Sequence, residues 1–245
     1  MQSIMTTTDK INRRIKQIAP GEVFGYASLG LSADEVIAGA KALSRLTSKG
    51  IVKRARKGYY YKPKVSVFGE QKPREEALLG LYLYEDSRQT AYVTGTRLYN
   101  RLGLTTQVPN SVRVASQDRQ IKGRAGSISV KPAKSYVKVT PDKIRYLEIL
   151  DVMKDFNSIP DMQAKDGLAY LKKEIGRLKN DEIKKLVSYG ISYPPKVRAL
   201  LGAVLEDTKK EGDFKKLKAS INPSSRYQYS ITVKLLPTIN LWNIE

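Results

Sequence analysis

The sequence predicts an α+β protein. A small N-terminal domain of helices closed by a hairpin comes first. A larger mixed α/β domain with mostly antiparallel strands and a helical C-terminal section follows. Apolar residues recur at helical spacing before residue 50, two β-prone runs flank a glycine turn just after it, and beyond about residue 140 the patterns are mostly helical.

The elements follow in chain order. Thr8 reads as an N-cap, with Asp9 in the first turn where the helix dipole favours an anion. Ile11, Ile15 and Ile18 then mark one apolar face, and Pro20-Gly21 stops the helix. A short segment with Val23, Phe24, Ala27 and Leu29 ends at Gly30. Ser32 and Glu35 form a Ser-x-x-Glu capping box. Behind it, Val36, Ala40, Leu43 and Leu46 make the inner face of a further helix, and Lys41, Ser44, Arg45 and Ser48 fall mainly toward solvent. Gly50 stands where a left-handed residue closes such a helix. Ile51–Arg54 and Tyr59–Lys62 flank the basic turn Ala55–Gly58 and read as a hairpin. Helix, short helix, helix and basic hairpin make a winged helix-turn-helix, with a domain over 1–65, a boundary in Pro63–Pro73 and a second domain over 70–245.

In the second domain, Pro73-Arg74-Glu75-Glu76 opens a helix with Ala77, Leu78, Leu81 and Tyr82 inward. Thr90–Gly95 is a strand. Thr96 caps a short helix ending at Gly103, and Val112-Arg113-Val114 alternates as a strand. Ser127–Lys131 and Ser135–Val139 are further strands. Thr140-Pro141-Asp142 opens a helix with Ile144, Leu147, Leu150 and Met153 inward. Helices continue through about 161–178, 181–189 and 195–206. Tyr227–Glu245 reads as an extended segment docked by Trp242, the single tryptophan.

Composition narrows the function. The 245 residues carry 44 Lys and Arg against 24 Asp and Glu, a net charge of +20, with no histidine and no cysteine. Zinc fingers, disulfide frameworks, Ser-His-Asp triads and thiol nucleophiles are thereby excluded. No apolar run approaches the ~18 residues of a membrane span. The opening residues lack a signal peptide, so the expected location is cytoplasmic with no membrane partner. A polyanion is the natural counterpart of such charge, nucleic acid before an anionic membrane surface. Ile51–Lys64 alone holds six basic residues and no acid.

The third helix of this domain is long enough to enter a major groove with short polar and basic side chains. The hairpin would set cations beside phosphates, each neutralised phosphate releasing counterions. Tyr59, Tyr60 and Tyr61 either touch sugar and phosphate or pack into the core. Many winged helices serve protein contact instead. No G-x-x-x-x-G-K-[ST] motif occurs. Gly95-Thr96 resembles the Gly-Ser entry of nucleotidyltransferases, but no Asp-x-Asp or Asp-x-Glu pair follows for two-metal chemistry. Asp151, Asp155, Asp161 and Asp166 read as caps and solvated charges. The expectation is a protein that is not an enzyme and holds no metal or cofactor.

The stretch from Val36 through Leu43–Arg54 to Lys57-Gly58-Tyr59-Tyr60 resembles the winged-helix end of the AbiEi-like antitoxins of type IV toxin–antitoxin and abortive-infection systems. Ala91–Thr96 and Leu102–Pro109 resemble the start of that family's second domain, and the likeness covers about residues 8–155. It implies a DNA-binding autorepressor of its own operon that counteracts a nucleotidyltransferase-like toxin, a protection that need not involve a stable complex. It implies that Lys41, Ser44, Arg45, Ser48 and Lys49 lie on or near the recognition helix. Lys53, Arg54, Arg56 and Lys57 then line the wing, with Tyr59 beside them. A basic second-domain surface would correspond to Arg113, Arg119, Lys122, Arg124, Lys131, Lys134 and Lys138. The alternatives are a nucleic-acid-processing enzyme delivered by the N-terminal module and an RNA-binding regulator.

Overall fold

Thr6 starts the first helix. Its hydroxyl accepts from the Asp9 backbone N–H at 3.2 Å, and the Asp9 carboxylate accepts from the Thr6 N–H at 3.3 Å. This reciprocal box satisfies donors that a helix start leaves open. The cap is therefore Thr6 and not Thr8, which lies inside α1 (Thr7–Gln17). The computed structural model describes residues 6–67, 69–85, 88–210 and 214–245. The opening residues 1–5 and Phe68, within the expected boundary, lie outside the described residues. Two compact units emerge: Met1–Ser87 with Arg124–Ile128, and Arg88–Gly123 with Ser129–Glu245.

In the first unit, β1 (Val23–Gly25) follows α1, and two short 3-10 turns, Ala27–Leu29 and Ala33–Glu35, lead into α2 (Val36–Ser48). The Ser32–Glu35 box forms as the sequence predicts. Lys10 donates to Glu35 at 2.6 Å and ties α1 to the entry of α2. The buried face of α2 is Gly39, Ala42 and Leu43, with Leu46 packed behind; Val36 is exposed. The reason is Gly39: a Cβ there would lie 2.5 Å from Leu31 Cδ1, so α2 rests on Leu31 and Ile11 through this residue. That rotates the inner face away from Val36. Gly50, at φ +70°, closes α2, and the Ile51 N–H returns to the Leu46 carbonyl at 3.0 Å.

The hairpin is β2 (Lys53–Arg56) and β3 (Tyr59–Tyr61), and β3 also pairs antiparallel with β1, giving the order β1-β3-β2. Its turn is only Lys57-Gly58, because Ala55 bulges between the pairs Arg54↔Tyr60 and Arg56↔Tyr59. Ile11, Ile15, Phe24, Leu43, Val52 and Tyr60 close one core. Each large apolar side chain there contributes roughly 1.5–3 kcal/mol. The Lys62 ammonium donates to the carbonyls of Ile15, Lys16 and Ile18 and caps the end of α1. The hairpin β4 (Lys64–Ser66) and β5 (Gly69–Gln71) comes next, then α3 (Glu75–Leu83) and β6 (Tyr84–Glu85). Tyr82 donates to the Arg124 carbonyl and Ser127 to Glu75, so α3 is built into this unit. The sequence sets the division at Pro63–Pro73; in the structure α3 lies on the N-terminal side of it.

The second unit opens with β7 (Arg88–Gln89), β8 (Tyr92–Thr94) and α4 (Thr96–Arg101), whose N-cap is Gly95 and not Thr96. The strands β9 (Ser111–Ser116) and β11 (Ile128–Lys134) follow, and between them β10 (Gly123–Ala125) falls largely in the Arg124–Ile128 stretch of the first unit. β8 pairs antiparallel with β9, but β11 pairs with β9 in parallel, because residues 117–127 carry the chain back to the same end. Strand β11 extends to Lys134, and the expected strand Ser135–Val139 is absent. The helices are α5 (Ile144–Lys154), α6 (Ala164–Gly176), α7 (Asn180–Gly190), α8 (Pro195–Asp207) and α9 (Phe214–Ala219). α8 is buried on nearly every side, from Ala199 through Leu205, and α5, α6, α7 and α9 pack around it. The C-terminal segment forms turns and a 3-10 turn, Ile239–Trp242, with one bridge between Tyr227 and Ile244 in place of the expected extended segment. Trp242 is fully buried, and its indole donates to Glu206 at 2.6 Å.

Asp151 corrects the sequence reading most sharply. It is neither a cap nor solvated; it is fully buried within α5. Tyr92, Thr94, Tyr193 and Lys154 donate to its carboxylate at 2.8, 2.5, 3.3 and 2.9 Å. Burial first, and the Asp151 charge second, push the Tyr92 and Tyr193 hydroxyls far above their ordinary range, so both remain donors. Next to them Tyr99 donates to Asp155 at 2.6 Å.

Two stability predictions follow from these contacts. Asp151→Ala leaves three hydroxyls and an ammonium without their acceptor and lowers unfolding free energy by about 3–5 kcal/mol, with Asp151→Asn costing less. Urea unfolding of the full chain checks this; an unchanged midpoint contradicts it. The Glu35 carboxyl is held down to about 2, chiefly by the hydrogen bond from Lys10 and then by those from Ser32. Its folded value lies below its ordinary 4.5, so its stabilisation is present above about pH 4.5 and lost as pH falls toward 2. Thermal midpoints across that range should fall more steeply for the wild type than for Glu35→Gln.

Candidate nucleic-acid interface

The helix α2 is buried along one side only. Its 13 residues span about 20 Å, enough to lie along a groove. The opposite side carries Ile37, Lys41, Ser44 and Ser48 at helical spacing, with Arg45 and Lys49 beside them, all exposed. The sequence therefore places Lys41, Ser44, Arg45 and Ser48 correctly toward solvent. Lys41, Arg45 and Lys49 have no ion pair among the described residues. The Ser48 hydroxyl donates back to the Ser44 carbonyl at 3.2 Å, which leaves its oxygen as an acceptor. Ile37, 73% exposed, joins the same face and was missed. The signal was its spacing of four from Lys41 and seven from Ser44.

The hairpin cations divide. Arg54 and Lys57 are exposed, Lys57 without a partner among the described residues, and Arg54 held only by a 3.4 Å bond from its Nε to the Arg56 carbonyl. Lys53 donates to Glu70 at 2.6 Å. Arg56 is a correction: it is no open phosphate ligand. Its guanidinium lies 4.9 Å from the Tyr59 ring centre and 4.7 Å from that of Tyr82, and it donates to the Leu81 carbonyl at 3.1 Å. It fastens α3 to the hairpin. Tyr60 and Tyr61 are core residues, Tyr60 stacked near Phe24 and set edge-on to Tyr26, while Tyr59 is half-buried.

The basic residues of the second unit do not assemble into one stripe. Arg113 faces Asp155 at 4.0 Å. Lys134 lies 5.0 Å from the Tyr136 ring, and Arg119 donates to Thr90 at 2.9 Å. Arg119 and Lys134 line a cleft of about 410 Å³ with Asp118 and Gln120. Lys122, Lys131 and Lys138 are exposed, and Arg124 is grouped with the first unit. No described helix is long and apolar enough to cross a membrane.

The two hairpin neighbours should separate by assay. Arg56→Ala removes a hydrogen bond and two ring contacts and should cost about 1–3 kcal/mol of stability. Lys57→Ala should leave the thermal midpoint unchanged. Equal midpoints for both variants would contradict the structural role of Arg56.

The comparisons with known proteins speak to fold and family. The chain is similar to the RV2827C protein from Mycobacterium tuberculosis in its crystal structure, with a TM-score of 0.50 at 12% identity over 92% of this chain and 85% of that one. At that identity the likeness is one of fold. No curated protein matches the chain. Residues 10–165 match the model of a family of unknown function, and on that span the chain belongs to the DUF6088 family.

Proposed function

We propose that the N-terminal unit is a winged helix-turn-helix that binds duplex DNA, and that the protein is the antitoxin and autorepressor of a type IV toxin–antitoxin operon. The element order supports the first half: helix, strand, short turn-helix, helix and hairpin, with the first strand paired to the second strand of the hairpin. The observation that carries the reading is the outer side of α2. An apolar face holds the helix on Leu31 and Ile11, and the other face offers Lys41, Ser44, Arg45 and Ser48 to solvent. In a major groove Lys41 and Arg45 would meet guanine edges, and Ile37 a thymine methyl. Arg54 and Lys57 would meet phosphates, which position the protein without reading sequence.

The antitoxin half rests on the AbiEi-like strings, and the family match spans the stretch that carries them. On this reading the chain performs no chemistry. It represses its own operon and counteracts a nucleotidyltransferase-like toxin. The second unit would carry the protective activity.

Equilibrium binding to the promoter of its own operon, across a salt series, tests the reading. Arg54→Ala with Lys57→Ala should weaken all duplexes alike and reduce the log–log salt slope by roughly one per lost phosphate contact. Arg45→Ala should narrow the preference for promoter over random duplex by about 1–3 kcal/mol. No preference in the wild type, or the same effect from both variants, would contradict it.

A further inference from the structure

We propose that the first unit also holds a site for single-stranded nucleic acid: a tyrosine-lined cleft that stacks an unpaired base. The cleft has a volume of about 380 Å³. That falls within the size of small-molecule sites, whose walls are largely apolar and aromatic. Three rings from three elements line it: Tyr26 after β1, Tyr59 in β3, and Tyr84 after α3. Tyr84 is 47% exposed, a large ring left in water. Every base has a π-face, so tyrosines of this kind take up bases with little regard to sequence.

Gly80 is the second, independent observation. It lies in the middle of α3, where glycine is the least favourable residue after proline. A Cβ built on it meets nothing within 4 Å, and its φ is not in the left-handed region. Neither packing nor backbone conformation asks for glycine there. Yet Gly80 lines the cleft, next to Leu81. Its missing side chain leaves bare helix backbone on which a flat ring can lie.

The occupant follows from charge. No charged residue is among those lining the cleft, and Arg56, which lies over the Tyr59 ring, is held by the Tyr82 ring and the Leu81 carbonyl, so the bound portion is neutral and flat. Lys57 immediately precedes Gly58 and Tyr59 of the cleft wall, and it is exposed, as is Arg54 on the same hairpin. An apolar bed with cations on the adjoining turn suits a base attached to a phosphate chain. A proline-rich peptide also favours aromatic grooves, but it gains nothing from those cations. This site goes beyond duplex reading by α2 and does not depend on it.

The test uses the full chain and a fluorescein-labelled oligothymidylate of about twelve nucleotides, followed by anisotropy. Gly80→Ala should raise the thermal midpoint, since alanine is the better helix former, yet weaken oligothymidylate binding. Gly80→Leu and Tyr84→Ala should each weaken it about tenfold or more, while duplex affinity stays at the wild-type level. Lys41→Ala with Arg45→Ala should do the reverse. If Gly80→Leu fails to fold, Gly80→Ala and Tyr84→Ala decide. Wild-type oligothymidylate affinity in both Gly80→Ala and Tyr84→Ala would overturn the proposal. So would equal competition by thymidine monophosphate, which would assign the cleft to a free nucleotide, or displacement by a proline-rich peptide alone. A chain that binds oligothymidylate in a Gly80-dependent way but shows no preference for its promoter would keep this site and remove the duplex reading.

Discussion

The contact of α2 with Leu31 and Ile11 through Gly39 sets the rest of the N-terminal unit. A side chain at Gly39 would have to occupy the space of Leu31. Because it has none, α2 lies close against α1 and buries Ala42 and Leu43. The opposite face is left in water by the same rotation. A helix buried on one side and basic on the other is common on protein surfaces. Here the outer cations have no acidic partners among the described residues, while the acid nearest the helix start, Glu35, is already held by Lys10 and Ser32.

The net charge of +20 has two separate explanations. Some cations serve the fold. Lys62 closes the end of α1, Arg56 is sandwiched between two tyrosines, and Lys10 and Lys53 pair with acids. Others have no such duty, among them Lys41, Arg45, Lys49 and Lys57 among the described residues. Self-repulsion among these is a standing cost, which a polyanion would relieve. The second unit is organised differently. Its distinctive polar feature is the inward-facing set of donors on Asp151, which pins β8 to α5 within an otherwise apolar core. A buried carboxylate of that kind specifies one arrangement of strand and helix, because only that arrangement satisfies it.

Much of the fold was legible where the chemistry is local. The Ser32–Glu35 box, the left-handed Gly50 and the Ile11–Ile15 face all depend on residues within four or five positions. The solvent side of α2 was legible for the same reason. Arg56 was not, because the Leu81 carbonyl that fixes it lies 25 residues on. Lys62 caps carbonyls 44 to 47 residues back. Asp151 draws its hydroxyl donors from 42 to 59 residues away and so looked like any helix-surface acid. On the inner face of α2, Leu43 and Leu46 were legible, but Val36 stands exposed and Gly39 and Ala42 are buried instead, because an apolar wheel does not show that a glycine marks the closest approach. The segment Ser230–Leu236 is β-prone in composition but forms turns, the Leu235 and Leu236 N–H groups both returning to the Thr232 carbonyl.

An amide chemical-shift titration of the full chain with duplex DNA from its own promoter tests the central claim most directly. The outer face of α2, from Ile37 to Lys49, and the Lys57-Gly58 turn should show the largest shifts, with Ala42 and Leu43 moving little. Shifts centred instead on Arg119–Lys134 of the second unit, with the α2 amides unmoved, would contradict the account.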